Sequence, residues 1–389
     1  MYSREYWVNR IQKAWEKRPI VWLAGVRRVG KTTLSRMLKD IQYFNCDLPS
    51  IQRRLEDPEL FFQGLPHRAR IVLDEIHRLK DPAITLKIAA DVFPDLRILA
   101  TGSSTLAATK KFKDTLTGRK QVIYLPPALW SECVSTFHIN DFDHRLLHGG
   151  LPEPLLSKKK DPDFFAEWMD SYYARDIQEL FGIRERTGFL TLLRFMLYRS
   201  GSETDYTMLS RETGLSRPTI KAHLEAMDIA CALYTVTPFH GGNRREIVRR
   251  PKIYAFDTGF VTHVRGWDTI REEDRGILWE HLVLDTLRSC EKIFKIQYWR
   301  DKSGREIDFI LPGSRGEVDA IECKINPDRF HPGSLRAFRS FYPKGKNYVI
   351  CPLGDISYER RYDDLLVRVG SVDTLCQAYD FGSDNSLGQ

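Results

Sequence analysis

Several features that define specialised classes of protein are missing from this sequence of 389 residues. No stretch approaches the roughly eighteen uncharged apolar residues that a membrane-spanning helix needs. Residues 1–7 look amphipathic rather than like a secretion signal. The seven cysteines include no CxxC pair, so neither a zinc cluster nor a fully paired disulfide framework is expected. We therefore expect reduced, mostly buried thiols, a cytoplasmic location and no membrane partner.

The net charge and the length are the first features whose presence is informative about partners and domain number. A formal net charge of +7 favours a polyanionic partner such as DNA, although proteins that bind no nucleic acid also reach this value. The length allows two or three domains, each with its own core.

The pattern along the chain predicts three domains and an α/β fold class. In residues 1–135, short apolar runs alternate with helical stretches, which is typical of an α/β domain built on a largely parallel sheet. Residues 136–250 contain a Gly-, Pro- and Lys-containing hinge at 149–162, after which the pattern is predominantly helical, with a winged helix. Residues 251–389 return to alternating strands and helices, which predicts a second α/β domain.

A complete phosphate-binding loop follows the first apolar run, residues 20–24. The pattern GxxxxGK[ST] comprises Gly25, Gly30, Lys31 and Thr32, with Thr33 next in the following helix. Glycines let backbone N–H groups curl around phosphate oxygens at the positive end of a helix. The sequence therefore predicts a site for ATP, in which Lys31 reaches the β and γ phosphates.

A matching acidic pair ends a later apolar strand. Thr32 and Asp74 are predicted to hold Mg²⁺, Asp74 through water, and Glu75 is placed to orient or deprotonate the attacking water. Ser103, after another apolar run, is a candidate sensor of the γ phosphate or simply a polar strand end. Arg119 is a candidate arginine finger, in cis or donated to a neighbouring subunit of a homo-oligomer, or an ordinary surface arginine.

Residues 207–227 have the spacing of a helix-turn-helix. Gly214 separates two helices and Ser216 caps the second one. That helix is expected to bury Ile220, Leu224 and Met227 while exposing Arg217, Thr219, Lys221 and His223. The basic stretch 243–252 would form a wing that contacts phosphates. The alternative is a protein-docking module of the same shape.

Acidic residues interrupt apolar strands in the last domain. Asp308 lies in one strand, and Glu322 and Lys324 project from one face of the next. Buried charges need partners, so Asp308 and Glu322 are predicted to share Mg²⁺, or Mn²⁺, with Glu280 adding a carboxylate from a helix. Lys324 would position the attacking water. The alternative is a salt bridge of Lys324 with Glu322 or Asp308 and no metal.

Taken together, these segments resemble prokaryotic ATPases of the AAA-like, STAND-related type with a carboxy-terminal DUF4143 domain, related to PD-(D/E)xK nucleases. The resemblance covers nearly the whole chain and implies an ATPase lobe, a winged helix and a nuclease-like fold. It marks Lys31, Asp74, Glu75, Asp308, Glu322 and Lys324 as the working residues. Thr117 departs from the usual small residue before Gly118 and Arg119. The motifs are GVRRVGKTT at 25–33, LDEIH at 73–77, TGSS at 101–104, LTGR at 116–119, GGLPE at 149–153, KIYAFDTG at 252–259, GREIDF at 304–309 and ECK at 322–324.

Three functions fit these features. The first is an ATP-dependent DNA-processing enzyme that couples nucleotide hydrolysis to phosphodiester cleavage, with the type of DNA substrate left open. The second is an ATP-controlled switch that holds DNA or a protein without cutting it. The third is a protein-remodelling ATPase without salt-sensitive affinity for DNA.

Overall fold

The structure of the protein is a computed structural model that describes residues 3–102, 110–241, 250–352, 354 and 357–379. Contacts between residues divide the chain into two compact units. Unit 1 contains residues 1–126, 166–186 and 225–232, and unit 2 contains residues 127–165, 187–224 and 233–389. This division differs from the three expected domains, because the chain passes between the units several times.

Unit 1 is built on the parallel sheet that the sequence predicts. Its five strands lie in the order β2-β3-β4-β1-β5, and every neighbouring pair is parallel. The strand bounds are Ile20–Ala24 for β1, Ile41–Asn45 for β2, Arg70–Asp74 for β3, Arg97–Thr101 for β4 and Lys120–Tyr124 for β5.

Helices pack on the sheet of unit 1, which buries apolar side chains on both of its faces. Trp22 in β1 is fully buried and meets the ring of Phe112 edge to face at 4.9 Å. Asp57 and Asp81 begin two of the helices by accepting hydrogen bonds from backbone N–H groups three residues on. The helices are Glu5–Lys17, Lys31–Ser35, Pro49–Arg54, Pro58–Gln63, Pro82–Val92, Lys110–Thr115 and Glu179–Phe181, with a 3₁₀ turn at Ile76–Arg78 and a π-helix at Tyr173–Gln178.

Unit 2 contains a mixed nine-stranded sheet in the order β13-β14-β12-β11-β10-β9-β7-β8-β6. Strands β9, β10 and β11 form an antiparallel meander, and β12 runs parallel to β11. The expected boundary at residue 250 therefore falls inside this sheet, between β7 and β8. The bounds are Ser202–Glu203 (β6), Leu233–Pro238 (β7), Lys252–Ala255 (β8), Gln297–Arg300 (β9), Glu306–Pro312 (β10), Val318–Cys323 (β11), Asn347–Ile350 (β12), Tyr358–Tyr362 (β13) and Leu365–Gly370 (β14).

The helices of unit 2 include an 18-residue helix, Glu272–Ser289, with a largely buried surface. Three further helices, Pro162–Tyr172, Arg186–Tyr198 and Arg217–Ile229, have residues in both units. No helix in the described parts of the chain combines the length and the apolar content that crossing a bilayer requires. The remaining helices of unit 2 are Trp130–Ser135, Phe142–His148, Pro152–Leu156, Tyr206–Thr213, Thr258–Val264, Gly333–Phe341 and Val372–Tyr379.

The order helix, β6, two helices, β7 and β8 gives the predicted winged-helix arrangement. Gly214 adopts the left-handed conformation between the two helices, and Ser216 accepts a hydrogen bond from the backbone N–H of Thr219. Arg217 and Lys221 are exposed as expected, whereas Thr219 is half-buried. Most of the expected wing, residues 242–249, lies outside the described residues.

The expectation that His223 is exposed is wrong. Its side chain is only 5% exposed and its ring lies 5.3 Å from that of Phe189. The reason is helical periodicity, because residue 223 lies three positions after Ile220 and four before Met227, both fully buried. His223 therefore belongs to the core of the winged helix and not to its outer face.

Candidate nucleotide site and acidic site

The phosphate loop of unit 1 connects β1 to the helix Lys31–Ser35. Gly25 and Gly30 have φ angles of 151° and 99°, values that favour glycine. A Cβ atom at Gly25 would lie 2.5 Å from the carbonyl oxygen of Leu125, so no side chain fits there. These two glycines shape the loop at the carboxyl end of β1, where the sequence predicted it.

The side chain of Lys31 is hydrogen-bonded to neutral carbonyl groups of the loop. Its Nζ donates to the carbonyl oxygens of Gly25 at 2.8 Å and Val26 at 2.9 Å. Burial lowers the pKa of Lys31, while Glu75 and Asp176 act against this lowering. A phosphate group can replace both carbonyl oxygens as the partner of this ammonium group.

Asp74, the last residue of β3, is hydrogen-bonded by three hydroxyl groups. Its carboxylate accepts hydrogen bonds from Thr32 at 2.9 Å, from Tyr43 and from Thr101. The sequence predicted the meeting of Thr32 with Asp74. Tyr43 and Thr101 were missed, although Thr101 ends a neighbouring strand at the same edge of the sheet. Hydroxyl and carboxylate oxygens are the ligands that Mg²⁺ prefers, so Thr32 and Asp74 fit that ion. Thr33 is exposed.

Glu75 has a strained backbone and an ionised side chain. Its φ angle of 55° is in the left-handed region, and its N–H donates to Thr101 Oγ1 at 3.1 Å. His77 Nδ1 lies 3.2 Å from Glu75 Oε2. This hydrogen bond lowers the pKa of Glu75, and Lys31 adds to the effect, whereas burial opposes it. The carboxylate is therefore available as a base beside the loop.

Arg119, the candidate finger, lies away from the phosphate loop within unit 1. It precedes β5, and the register pairs Lys120 with Ile20, so Arg119 lies at the opposite edge of the sheet from the loop after Ala24. The length of the strands alone separates the two edges by roughly 15 Å. Arg119 instead pairs with Asp91, with Nε–Oδ1 at 2.5 Å and Nη2–Oδ2 at 3.0 Å. Ser103, the candidate γ-phosphate sensor, lies outside the described residues.

A second group of charges lies on β10 and β11 in unit 2. The register of β10 against β9 shifts between Ile307 and Ile310, which places a bulge around Asp308. Asp308 is only 8% exposed, and its Oδ2 accepts a hydrogen bond at 2.7 Å from the N–H of Cys323 in β11. Continuing the β10–β11 pairing by one residue places Asp308 opposite Glu322. The sequence predicted this meeting of two acids on adjacent strands.

Lys324 joins the two acids. Its Nζ lies 2.7 Å from Glu322 Oε2 and 3.8 Å from Asp308 Oδ2. Burial, and then repulsion by Asp308, raises the pKa of Glu322 to about 7. Burial lowers the pKa of Lys324, but attraction to Asp308 and Glu322 outweighs it and raises that pKa. The salt bridge considered as the alternative to a metal is thus present.

Glu280 does not complete a metal site with these residues. Its Oε2 accepts a hydrogen bond at 2.9 Å from the hydroxyl of Tyr254. Burial, and then Asp308, raises the pKa of Glu280 to about 8. Within the described ranges, no group of three or more carboxylate, histidine or cysteine side chains is arranged to hold a metal ion. This corrects the expectation that Glu280, Asp308 and Glu322 share one ion in this conformation.

A further lysine in this region was not foreseen. Lys252 in β8 is 5% exposed and forms an ion pair with Glu306. Burial lowers the pKa of Lys252, but Glu280, Glu306 and Asp308 raise it overall. The charges of this site are therefore balanced by two lysines, one in β8 and one directly after β11.

Comparisons with known proteins match three parts of the chain to family models. Residues 17–134 match the family model of an AAA domain, and residues 139–271 and 275–368 match two domains of unknown function, DUF8612 and DUF4143. The geometry of the loop, Asp74 and Glu75 together with the AAA match decides the nature of unit 1. It carries a P-loop ATPase domain of the AAA type. In the same chain, a DUF4143 segment follows that domain.

Two relatives match most of this chain at low identity. Uncharacterized proteins of Mycobacterium bovis and Mycobacterium tuberculosis are each 28% identical over 94% of this chain and 85% of their own. Among solved structures, a Walker-type ATPase of Pyrococcus abyssi is 16% identical, with a TM-score of 0.44 over 68% of this chain and 96% of its own.

Proposed function

We propose that the protein is an ATP-dependent DNA-processing enzyme, in which hydrolysis at the phosphate loop is coupled to Mg²⁺-dependent cleavage of a phosphodiester by unit 2. The observation that carries the second half of this proposal is the meeting of Asp308 and Glu322, on two paired strands, with Lys324 directly after the second strand. Both proposed reactions, ATP hydrolysis in unit 1 and phosphodiester cleavage in unit 2, act on phosphate groups, and the chain that carries them is basic.

For the ATPase reaction, each residue of unit 1 has a role that follows from its position. Lys31 exchanges its carbonyl partners for the β and γ phosphate oxygens. Thr32 and Asp74 would hold Mg²⁺, which neutralises charge on the phosphates when it is bound. Glu75, ionised and held by His77, accepts the proton of the attacking water.

For cleavage, Asp308 and Glu322 would hold Mg²⁺ or Mn²⁺, which supplies charge neutralisation at a scissile phosphate. Both side chains present oxygen atoms, and both face the same lysine. Lys324 then orients the attacking water or stabilises negative charge on the phosphate. These roles require Lys324 to move away from at least one carboxylate.

DNA contact is assigned to the winged helix. The second helix of this motif exposes Arg217 and Lys221, whose charges suit phosphate groups. Arg217 donates to Thr207 Oγ1 at 2.8 Å, which positions its guanidinium beside the preceding helix. Such contacts fix the protein on the duplex without reading its sequence.

One observation favours a second function, an ATP-controlled switch in which unit 2 binds DNA or a protein without cutting. Lys324 already neutralises Glu322, and Glu280 is bonded to Tyr254, so the acidic site is complete without a metal. A buried ion pair of this kind can be retained as part of a fold without any catalytic task.

A cleavage assay decides between the two functions. Wild type, Asp308→Asn and Lys31→Ala are incubated with duplex, branched and single-stranded DNA, with Mg²⁺ or Mn²⁺ and with or without ATP. Asp328→Asn is the matched control, because Asp328 is an exposed acid elsewhere in unit 2. The proposal expects cleavage that Asp308→Asn abolishes and Asp328→Asn leaves intact. DNA binding without scission under every condition would instead support the switch.

DNA binding is tested separately by fluorescence anisotropy at several salt concentrations. Arg217→Ala and Lys221→Ala should each weaken binding and lower the salt slope by about one. Lys158→Ala, an exposed lysine outside the winged helix, is the control. Unchanged affinity in both winged-helix variants would remove this helix from the DNA contact.

A further inference from the structure

A helical segment from far along the chain packs on the phosphate loop within unit 1. The indole N–H of Trp168 donates to the carbonyl oxygen of Arg27 at 3.2 Å. In return, Arg27 Nη1 donates to the carbonyl oxygen of Ser171 at 2.6 Å. Trp168 also stacks on Tyr172, with ring centroids 5.0 Å apart. Side chain and backbone of a loop residue are thus both held by residues 168–172.

The segment continues into the π-helix Tyr173–Gln178, which brings a third carboxylate towards the site. Asp176 Oδ2 lies 3.5 Å from Arg27 Nε, and this oxygen has no hydrogen-bond partner among the described residues. Asp176 also interacts electrostatically with Lys31 and with Glu75. π-Helical turns inside α-helices occur frequently at functional sites.

Arg27 occupies a position from which it can reach a bound phosphate. It lies inside the loop, between Gly25 and Gly30, and its guanidinium offers the fork of donors that phosphate accepts. Among the described residues, the partners of its guanidinium are one carbonyl group and one carboxylate at 3.5 Å, without a bidentate pair. A terminal phosphate, with more charge and three oxygens, is a stronger partner than either.

Asp176 and Glu75 have the same sign of charge as the ligand. Their repulsion grows with the number of phosphates in the site, so it acts more strongly on ATP than on ADP. Burial raises the pKa of Asp176 and repulsion by Glu75 adds to this, whereas Arg27 and Lys31 lower it. The balance of these charges must change when a nucleotide binds.

We propose that Arg27 is a ligand of the terminal phosphate of ATP, and that Asp176 holds it back until that phosphate arrives. Residues 168–178 thereby distinguish ATP from ADP and carry this information out of the loop. The inference rests on the binding of ATP to this loop, and it adds the residues through which binding is sensed.

The test is isothermal titration of the full chain with ADP and with a non-hydrolysable ATP analogue, both with Mg²⁺. Arg27→Gln should weaken binding of the analogue about tenfold and binding of ADP by less than about twofold. Asp176→Asn should tighten binding of the analogue by about three- to tenfold, the effect of removing one nearby negative charge, with a smaller change for ADP. Asp170→Asn is the matched control, because Asp170 pairs with Arg186 and is largely exposed.

Equal changes for both nucleotides, or none, in Arg27→Gln and Asp176→Asn would overturn the inference and leave the ATPase intact. If the wild type binds neither nucleotide, the assignment of the loop fails and the inference fails with it. Thermal unfolding shows whether each variant folds. If Asp176→Asn does not fold, the titration of Arg27→Gln alone decides whether the inference holds.

Discussion

The two charged sites of this protein contain the same kinds of side chain in different states. Each combines lysine with at least two carboxylates. Lys31 in unit 1 donates to two neutral carbonyl groups, whereas Lys324 in unit 2 is paired with Glu322 and lies near Asp308. Asp74 in unit 1 is bonded only by hydroxyl groups among the contacts described, whereas the acids of unit 2 are neutralised by lysine.

This difference determines what a ligand must do at each site. At the phosphate loop, a phosphate replaces the neutral carbonyl partners of Lys31. It supplies a negatively charged hydrogen-bond partner in their place. At the acidic site, a ligand must first separate an existing ion pair, which leaves a buried charge without a partner. We therefore expect unit 1 to bind its ligand readily, and activity of unit 2 to require a rearrangement of Lys324.

The largest effect is expected at Glu75, the proposed general base of the ATPase site. Glu75→Gln should lower ATP turnover by at least about 100-fold while leaving ATP binding within a fewfold of wild type, because a general base acts only in the chemical step. Steady-state phosphate release and equilibrium titration measure the two quantities. Glu59→Gln, an exposed acid in the same unit, is the control. Full turnover in Glu75→Gln would show that another group activates the water.

The contrast between the lysines predicts different effects on stability. Lys324→Met should lower the free energy of unfolding by about 3 kcal/mol at pH 8, because it leaves two buried acids unpaired. Lys31→Met should change it by about 1 kcal/mol or less, because only carbonyl groups lose a donor. Urea denaturation monitored by circular dichroism measures both. Similar losses in the two variants would show that the sites do not differ as described.

The pH dependence of unit 2 sharpens the comparison further. The pKa of Glu280 is raised from 4.5 to about 8 by burial and Asp308, so the folded state keeps a proton that the unfolded chain has lost. Stability from this group is complete below pH 4.5 and is lost as the pH rises through 8. Glu280→Gln removes that loss.

Glu280→Gln should therefore be more stable than wild type by about 2 kcal/mol at pH 9 and no more stable at pH 4. Urea denaturation across this range measures the difference. Glu273→Gln, exposed on the same helix, should follow wild type at every pH. A constant difference between Glu280→Gln and wild type from pH 4 to 9 would contradict the raised pKa.

The smallest effect is expected at Arg119. Since it pairs with Asp91 at the edge of the sheet away from the loop, Arg119→Ala should keep ATP turnover within about twofold of wild type. Asp91→Ala should behave in the same way. Turnover that falls in Arg119→Ala and depends on protein concentration in the wild type would instead reveal a finger donated in trans within a homo-oligomer.

Local patterns predicted much of the nucleotide site. Gly25, Gly30, Lys31 and Thr32 are almost contiguous, and a strand end supplies Asp74, so motif and periodicity suffice to bring them together. Trp168 is far away in sequence. Its contact with the loop depends on tertiary packing that no local pattern contains.

The acidic site was predictable in part. Two-residue spacing put Glu322 and Lys324 on one face, and the antiparallel pairing with the preceding strand brought Asp308 beside them. The bulge around Asp308 and the hydrogen bond from Tyr254 to Glu280 depend on how β8, β9 and a helix pack together. The burial of His223 was readable from helical spacing, since it lies on the same face as Ile220 and Met227.

The most direct test of the central claim is equilibrium titration of the full chain with a non-hydrolysable ATP analogue and Mg²⁺. If the ammonium group of Lys31 donates hydrogen bonds to phosphate oxygens of the bound nucleotide, Lys31→Ala should lower the affinity for the analogue at least about 100-fold, as a buried charge-assisted contact implies. Lys39→Ala, an exposed lysine nearby, should bind like wild type. Equal affinities of wild type and Lys31→Ala would contradict the claim that this loop binds the triphosphate.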